Sequence, residues 1–364
     1  MRETRLEIDR KAILHNLNVF KKLINSDTRI LVNLKGNAYG MGAVELGKLF
    51  EKQAVDYFSV AYINEGIELR NAGIQTKILV FNPSPEHFDT LISYRLEPEI
   101  SSLLYLKKIL HYAHVNHWQQ FPVHLKLDTG MHRAGITSEE LSEAINLITK
   151  QNRLTVKSVF SHLAAAEDPN EDSFTRGQID MFEQMTRYLQ QHIPPFFRHL
   201  LNTAGIFRFN EAQYDMIRPG LGIFGYNLVK NRQDRLKPVA RLITRINQTK
   251  KIPRGETVGY NRNFTATTET TRVALLPLGY ADGINRLLGQ GNWQVTCRGK
   301  RLPIIGNISM DTMSIDISGT DCRAGDQVIV FDNCNDVYQM AAQLQTIPYE
   351  IITAISRRVF RVLV

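Results

Sequence analysis

The chain is 364 residues long, room for two domains of roughly 100–200 residues each, and its 43% hydrophobic and 22% charged content is that of a soluble globular protein. A net charge of +8 and an isoelectric point near 9.3 come without a run of five like charges or a zinc-finger spacing, so no nucleic-acid partner is expected and the basic residues read as a dispersed surface that attracts anionic metabolites. Three cysteines without a CxxC pair argue for a reducing compartment and against a structural metal, and no apolar leader follows Met1, so a cytoplasmic protein is expected; no apolar run nears the roughly 18 residues that cross a bilayer.

Asp9 reads as the N-cap of a helix to about Leu23, with Ile13, Leu14, Leu17, Val19 and Phe20 on its apolar face. Next comes the run from Ile30 to Gly42. Its first half is a short apolar strand; it closes on Lys35, turns through Gly36, Gly40 and Gly42, and enters a helix from about Ala43. A lysine closing a buried strand is costly unless an amine is needed there. Desolvation lowers its pKa and makes it a usable nucleophile or base. The plainer alternative is a lysine that reaches out to solvent.

Further strands are expected at 57–61, 78–81, 122–127, 155–160, 197–201 and 216–217, with a weaker one near Leu96–Ile100 and helical patterns such as 138–150 and 173–191 between them. About eight β/α units over residues 1–235 have the count and spacing of a (β/α)8 TIM-type barrel. A doubly wound sheet is the alternative, but no GxGxxG follows a strand. Polar residues gather at the strand C-termini: Lys35, Asp128 with Arg133 beyond it, His162, His199 with Asn202, and Arg218. In a barrel all of these face one catalytic end.

From about Leu236 the texture changes to dense strands parted by turn residues, at 239–248, 272–277, 293–297, 313–317 and 327–331, with helical pattern only from about Asn335. Residues 236–364 are expected to form a C-terminal, mainly-β domain, giving an α/β chain overall.

A set of segments then resembles one known family. These are Leu6-Glu7-Ile8-Asp9, Lys35-Gly36-Asn37-Ala38-Tyr39-Gly40-Met41-Gly42, and the run Leu125-Lys126-Leu127-Asp128-Thr129-Gly130-Met131-His132-Arg133-Ala134-Gly135. Ser161-His162-Leu163-Ala164, Asn202-Thr203-Ala204, Arg218-Pro219-Gly220-Leu221 and Val258-Gly259-Tyr260-Asn261-Arg262 follow, then Gly279-Tyr280-Ala281-Asp282-Gly283 and Ser309-Met310-Asp311. In this order, along nearly the whole chain, they resemble alanine racemase, a pyridoxal 5'-phosphate (PLP) enzyme built as a barrel plus a β domain.

The resemblance implies that Lys35 holds the cofactor covalently and that Lys35 and Tyr260 are the two catalytic bases, one on each face of the substrate, Lys35 serving the D-enantiomer and Tyr260 the L-enantiomer. It places Tyr39, Thr203 (where a serine is usual) and the backbone N–H groups of Gly220 and Leu221 at the phosphate. Arg218 faces the pyridine nitrogen, and a cation there keeps the electron sink weak. His162 and Asn202 complete the cofactor surroundings, with His162 in a network that lowers the Tyr260 pKa. Arg133 and the Met310 backbone would bind the substrate carboxylate, and Lys126 is either carbamylated, which would orient Arg133, or an ordinary salt-bridge lysine. In the resembled family the tyrosine reaches the partner's active site, so a homodimer with shared sites is implied, interconverting L- and D-alanine to supply D-alanine for peptidoglycan.

Departures from the family pattern are Gly36, Met41, Asn307 where an arginine is common, Phe360 where a proline is usual, and Arg357 where a tyrosine is frequent. Arg357 and Asn307 bring the pocket mouth and substrate corridor into question. A racemase of serine or a charged amino acid, a decarboxylase on the same architecture, and a non-catalytic PLP-binding protein are the alternatives; Arg218 speaks against the second and Tyr260 against the third.

Overall fold

A computed structural model describes residues 4–229 and 235–364. Residues 1–3, where an absent leader is expected, and 230–234, which abut the expected domain boundary, lie outside the described ones. The first helix, Arg10–Leu23, starts where the sequence indicates, because the Asp9 carboxylate accepts from the Lys11 and Ala12 N–H groups at 2.7 and 3.0 Å.

The barrel strands are β2 (Arg29–Asn33), β3 (Tyr57–Val60), β4 (Lys77–Val80), β5 (Leu96–Ile100), β6 (Phe121–Lys126), β7 (Leu154–Phe160), β8 (Phe197–His199) and β9 (Met216–Ile217); the preceding β1 is Arg5–Ile8. Each barrel strand pairs in parallel with its neighbour from β2 to β8, and β9 returns to pair with β2. The ring closes between β8 and β9 through Asp215 N–H to Arg198 O at 3.1 Å and Arg218 N–H to Leu201 O at 3.0 Å. A doubly wound sheet has open edges and cannot return this way. Leu31, Tyr57, Leu79, Phe160 and Met216 form a separate apolar cluster, as expected of the inward layer of a barrel.

The second sheet has nine strands: β10 (Ala240–Arg245), β11 (Gln248–Pro253), β14 (Thr270–Leu276), β15 (Gln294–Cys297), β16 (Lys300–Ile305), β17 (Met313–Asp316), β18 (Gln327–Phe331) and β19 (Phe360–Leu363), with β1 between β10 and β19. The short ribbon β12 (Thr257–Val258) and β13 (Phe264–Thr265) stands apart and precedes and follows Tyr260. The N-terminal strand thus belongs to the sheet of the β domain, antiparallel to β10 and parallel to β19, burying Leu6 and Ile8. The single strand expected over 239–248 is two: Ile246 N–H turns to Asp326 O and Asn247 N–H to Leu275 O, so β11 leaves β10 to pair with β14. Cys297 and Cys322, distant in sequence, meet as buried free thiols, and burial pushes the Cys297 thiol up.

Candidate active site

Lys35 lies two residues past the end of β2, at the C-terminal mouth of the barrel. The following turn is left-handed: φ is 61° at Gly36, 54° at Asn37, 52° at Ala38 and 55° at Tyr39. For the three non-glycine residues this conformation costs roughly 1–2 kcal/mol each, a strain that persists only where surroundings enforce it. Here they do. Gly36 N–H donates to Glu65 Oε1 at 2.7 Å, Ala43 N–H to Asn37 Oδ1 at 2.9 Å, and Arg361 Nε to Gly40 O at 2.9 Å. Gly40 lies so close to the helix Pro348–Thr353 that a Cβ would sit 2.2 Å from Ile352 O.

The Lys35 amine opens onto a cavity of about 610 Å³ whose wall includes Lys126, Arg133 and Arg218. Its pKa is lowered, first by desolvation and then by Arg133, Lys126 and Arg218, with Glu65 pulling the other way. A lowered lysine pKa means more free amine at neutral pH. Accordingly, a small aldehyde trapped by borohydride at neutral pH is expected to label Lys35 ahead of the other lysines, with a pH midpoint below the usual value of about 10.4; peptide mapping that finds the label spread over surface lysines would refute this.

Arg218 follows β9 and is buried. Nη1 donates to His199 Nδ1 at 2.8 Å and His199 O at 2.9 Å; Nη2 is directed at Ser161 O, Leu200 O and, at 3.3 Å, His162 Nδ1. Both terminal nitrogens are therefore committed, and the Nε–H is the donor left available. Burial pushes the guanidinium down to about 9, against the pull of Glu99, which still leaves it charged at neutral pH. His162 and His199 are held well below the usual histidine range by burial and then by Arg218, so both imidazoles stay neutral.

Opposite Lys35, Thr203 Oγ1 accepts from the Gly220 N–H at 3.0 Å and the Gly222 N–H at 3.2 Å. Its own proton is then free to donate into the cavity. A Cβ on Gly220 would lie 2.7 Å from the Tyr39 hydroxyl, so only glycine lets that hydroxyl approach the backbone. Burial, then Tyr349, pushes the Tyr39 phenol up, keeping it a neutral donor. Asn202 caps the helix Thr203–Arg208 through Gly205 N–H at 2.9 Å while lining the cavity.

Of the residues expected at the site, Lys35, Tyr39, Lys126, Arg133, His162, Asn202, Thr203, Arg218 and Gly220 share this one cavity, and Leu221 borders the adjoining depression. Tyr260 and Met310 do not line it; they stand 73% and 53% exposed on the β domain. Asn307 is buried, donating to Tyr260 O at 2.9 Å and accepting from Gln290 at 2.8 Å, so it braces the Tyr260 loop. Arg357 pairs through both terminal nitrogens with Glu68 at 3.1 and 2.8 Å.

Sequence reasoning missed the inward charges of β5. Glu97 Oε2 meets His124 Nε2 at 2.8 Å, His124 Nδ1 meets Ser158 Oγ at 2.6 Å, and Ser158 Oγ meets His199 Nε2 at 2.7 Å. This chain runs through the barrel to Arg218. Burial alone would raise the Glu97 carboxyl, but the His124 hydrogen bond and charge hold it below the usual range. Glu99 lies 3.4 Å from Lys126 Nζ, and burial pushes it up to about 7 against the pull of Lys126, Arg133 and Arg218. The signal was present as two period-2 patterns, Glu97/Glu99 and His124/Lys126, on adjacent strands.

The sequence profile of the alanine racemase N-terminal domain matches residues 8–228 and that of the C-terminal domain residues 239–363. The chain belongs to the alanine racemase family. It is 34% identical to alanine racemase 1 of Caldanaerobacter subterraneus subsp. tengcongensis, covering 100% of this chain and 95% of the relative. Among solved structures in the family, alanine racemase of Clostridium difficile 630 superposes with a TM-score of 0.92 at 32% identity, over 99% of this chain and 95% of that one. The Bartonella henselae alanine racemase, described with covalently bound pyridoxal phosphate, superposes at 0.88 and 26% identity, each chain covered in full.

The cavity fits that cofactor. A neutral hydroxyl pair, Tyr39 and Thr203, stands beside a glycine backbone for a phosphate; an activated amine stands ready for an aldehyde; and the uncommitted Arg218 Nε–H suits a ring nitrogen. The family's enzymes are PLP-dependent racemases.

Proposed function

We propose that this protein is a pyridoxal phosphate-dependent alanine racemase that works by two bases as a homodimer in the cytoplasm, supplying D-alanine for peptidoglycan. The observation that carries the reading is one cavity in which a desolvated Lys35 amine shares walls with an uncommitted Arg218 Nε–H and the Tyr39–Thr203–Gly220 cradle. Pyridoxal phosphate, when bound, supplies an electron sink for the pair left at Cα as its proton departs.

The chain's own groups do the rest. Arg133, whose guanidinium makes no hydrogen bond or ion pair with a described residue, is free to take the substrate carboxylate in a fork. Lys35, with its lowered pKa, exchanges the Cα proton on one face. The other face needs a base as well. Of the other described side chains that line the cavity, His162 is directed at Arg218 and its basicity is suppressed, and burial pushes the phenols of Tyr39 and Tyr349 up. Tyr260 of the partner subunit fills that role, which accounts for a tyrosine held out at 73% exposure on a braced loop. Arg218 holds the ring nitrogen side cationic, which favours simple proton exchange over longer-lived carbanion chemistry.

For substrate size, Arg357 is the feature that favoured another amino acid in the sequence, and its charge is spent on Glu68. Alanine is therefore the preferred reading. The test is deuterium exchange at Cα in D2O with PLP-loaded protein and single L-amino acids. Deuterium is expected in both enantiomers of alanine, faster than with serine, lysine or glutamate. Faster exchange with another amino acid moves the substrate assignment; no exchange with any, despite bound cofactor, sinks the racemase reading.

A further inference from the structure

Outside the catalytic cavity, one group of three metal-ligating side chains stands together among the described residues. The sulfurs of Cys297 and Cys322 and a carboxylate oxygen of Asp326 all lie within 4.8 Å of one another. None of the three lines the cavity that holds Lys35. Cys297 closes β15 just before the turn at Arg298 and Gly299, and Cys322 and Asp326 lie on the segment that leads from β17 into β18. The sequence, with no CxxC, points away from a metal, because the two cysteines are 25 positions apart. Strand pairing brings them together: the register partner of Cys297 is Val328, just past Asp326.

The protein itself holds these ligands in place. The Cys322 carbonyl accepts from Arg272 Nη2 at 2.8 Å, and the Cys322 N–H donates to Thr320 Oγ1 at 3.3 Å. Asp326 Oδ2 accepts from Arg298 Nε at 2.7 Å and the Arg323 N–H at 2.9 Å, and Oδ1 accepts from Arg298 Nη2 at 3.0 Å. A carboxylate has about four acceptor positions, so one on Oδ1 is left for a cation. Both sulfurs belong to fully buried residues, whereas the Asp326 side chain is 15% exposed, so an ion enters past the carboxylate. Cysteines packed only as small apolar groups would have hydrocarbon on that side. Charge also balances: the three negative charges of two thiolates and a carboxylate are matched by a divalent ion and Arg298. Asp321, at 2.9 Å on the other edge of Arg298, is 72% exposed and left to water.

We propose that Cys297, Cys322 and Asp326 form a binding site for a divalent cation of the zinc class, with water as fourth ligand, which clips the β15–β16 turn to the segment entering β18. Thiolates select a soft or borderline ion over magnesium or calcium, which take oxygen ligands. Tetrahedral bonds of about 2.0–2.3 Å set ligand atoms roughly 3.5–3.8 Å apart, so the group needs to draw in by about 1 Å at most. On binding, each thiol gives its proton to water and its sulfur donates a lone pair to the ion; no electron is transferred. The site stands apart from the racemase reading and does not depend on it.

The experiment is titration of the full-length, PLP-loaded protein with cadmium chloride at about pH 7, below the ordinary thiol value of about 8.5. Thiol counting in denaturant first establishes that all three cysteines are reduced. One equivalent of cadmium is expected to bind per chain, with an ultraviolet thiolate-to-metal charge-transfer band and release of two protons, one from each thiol. The band is expected to vanish in Cys297→Ser and in Cys322→Ser. It is expected to persist in Cys334→Ser, because the Cys334 sulfur lies elsewhere, 3.1 Å from Gly225 O. Asp326→Asn is expected to keep a band and to weaken cadmium binding by at least the roughly 10–100-fold that groups around a metal are worth. A reduced wild-type protein that gives neither band nor proton release overturns the site, and that result needs no variant. A count of one thiol overturns it too, since the pair would then be a disulfide. Cadmium bound without a thiolate band, as by surface histidines, counts against it in the same way. An Asp326→Asn protein that binds as tightly as wild type overturns the three-ligand site.

Discussion

Subunits carrying Lys35→Ala and subunits carrying Tyr260→Phe, each nearly inactive alone, are expected to recover about a quarter of wild-type activity when mixed in equal amounts as exchanging dimers. Half of random dimers are mixed, and each mixed dimer has one intact site: Lys35 from one subunit with Tyr260 from the other. The second site has neither base. Lys35→Ala alone loses the covalent attachment and the absorbance band it gives. Tyr260→Phe alone keeps that band and loses racemisation by roughly 10²–10⁴-fold, the usual worth of a positioned acid–base group. It is also expected to keep exchanging the Cα proton of D-alanine for deuterium without inversion, because Lys35 still works on its own face. Activity of the mixture no higher than the two parents would show that the tyrosine does not serve the partner's site. The expectation draws on two observations together: Lys35 lines the cavity, and Tyr260 of the same chain does not.

Arg218→Leu is expected to be the most damaging single change to stability in the barrel mouth. It leaves the imidazoles of His199 and His162 and the carbonyls of His199, Ser161 and Leu200 without their donor. Stripping one partner from a buried charged network costs roughly 3–5 kcal/mol, readable as a lowered urea midpoint. Arg218→Lys retains the charge but offers one compact ammonium in place of a planar fork. It is expected to regain part of the stability while racemisation stays at least about tenfold down. Its product mixture should also change: a donor no longer fixed at the ring nitrogen leaves the carbanion less restrained, and keto acid from side transamination rises. A Lys variant with wild-type rate and no keto acid would contradict the assignment of Arg218.

Much of this was legible in the sequence, for identifiable reasons. Barrel strands buried on both faces read as apolar runs, and Lys35 stood out because a charge at the end of such a run conflicts with burial. The left-handed turn after it was only hinted at by Gly36 and Asn37; Ala38 and Tyr39 adopt it because Glu65 and Arg361 hold the turn from afar, and distant partners leave no local trace. Glu97 and Glu99 were passed over for the same reason. Carboxylates on a weak strand look solvent-facing until the register sets His124 and Lys126 beside them. Asn307 was read as a change to the substrate corridor; that its amide also braces the Tyr260 loop was not legible, because the two residues lie 47 positions apart. The extended pattern over 239–248 concealed a change of partner at Ile246, because both pieces are equally strand-like.

The bond from Arg361 to Gly40 joins residues 321 positions apart, and the same arginine gathers the carbonyls of Ile355, Ser356 and Val359. During synthesis, therefore, the barrel strands can be complete while the turn that follows the reactive lysine is held only by Glu65 and Asn37 and still lacks Arg361. The turn acquires its last brace only when the far end of the polypeptide docks. A nascent chain thus carries the nucleophile long before it can hold it still, and loading of the aldehyde becomes a late event in maturation, tied to completion of the second sheet.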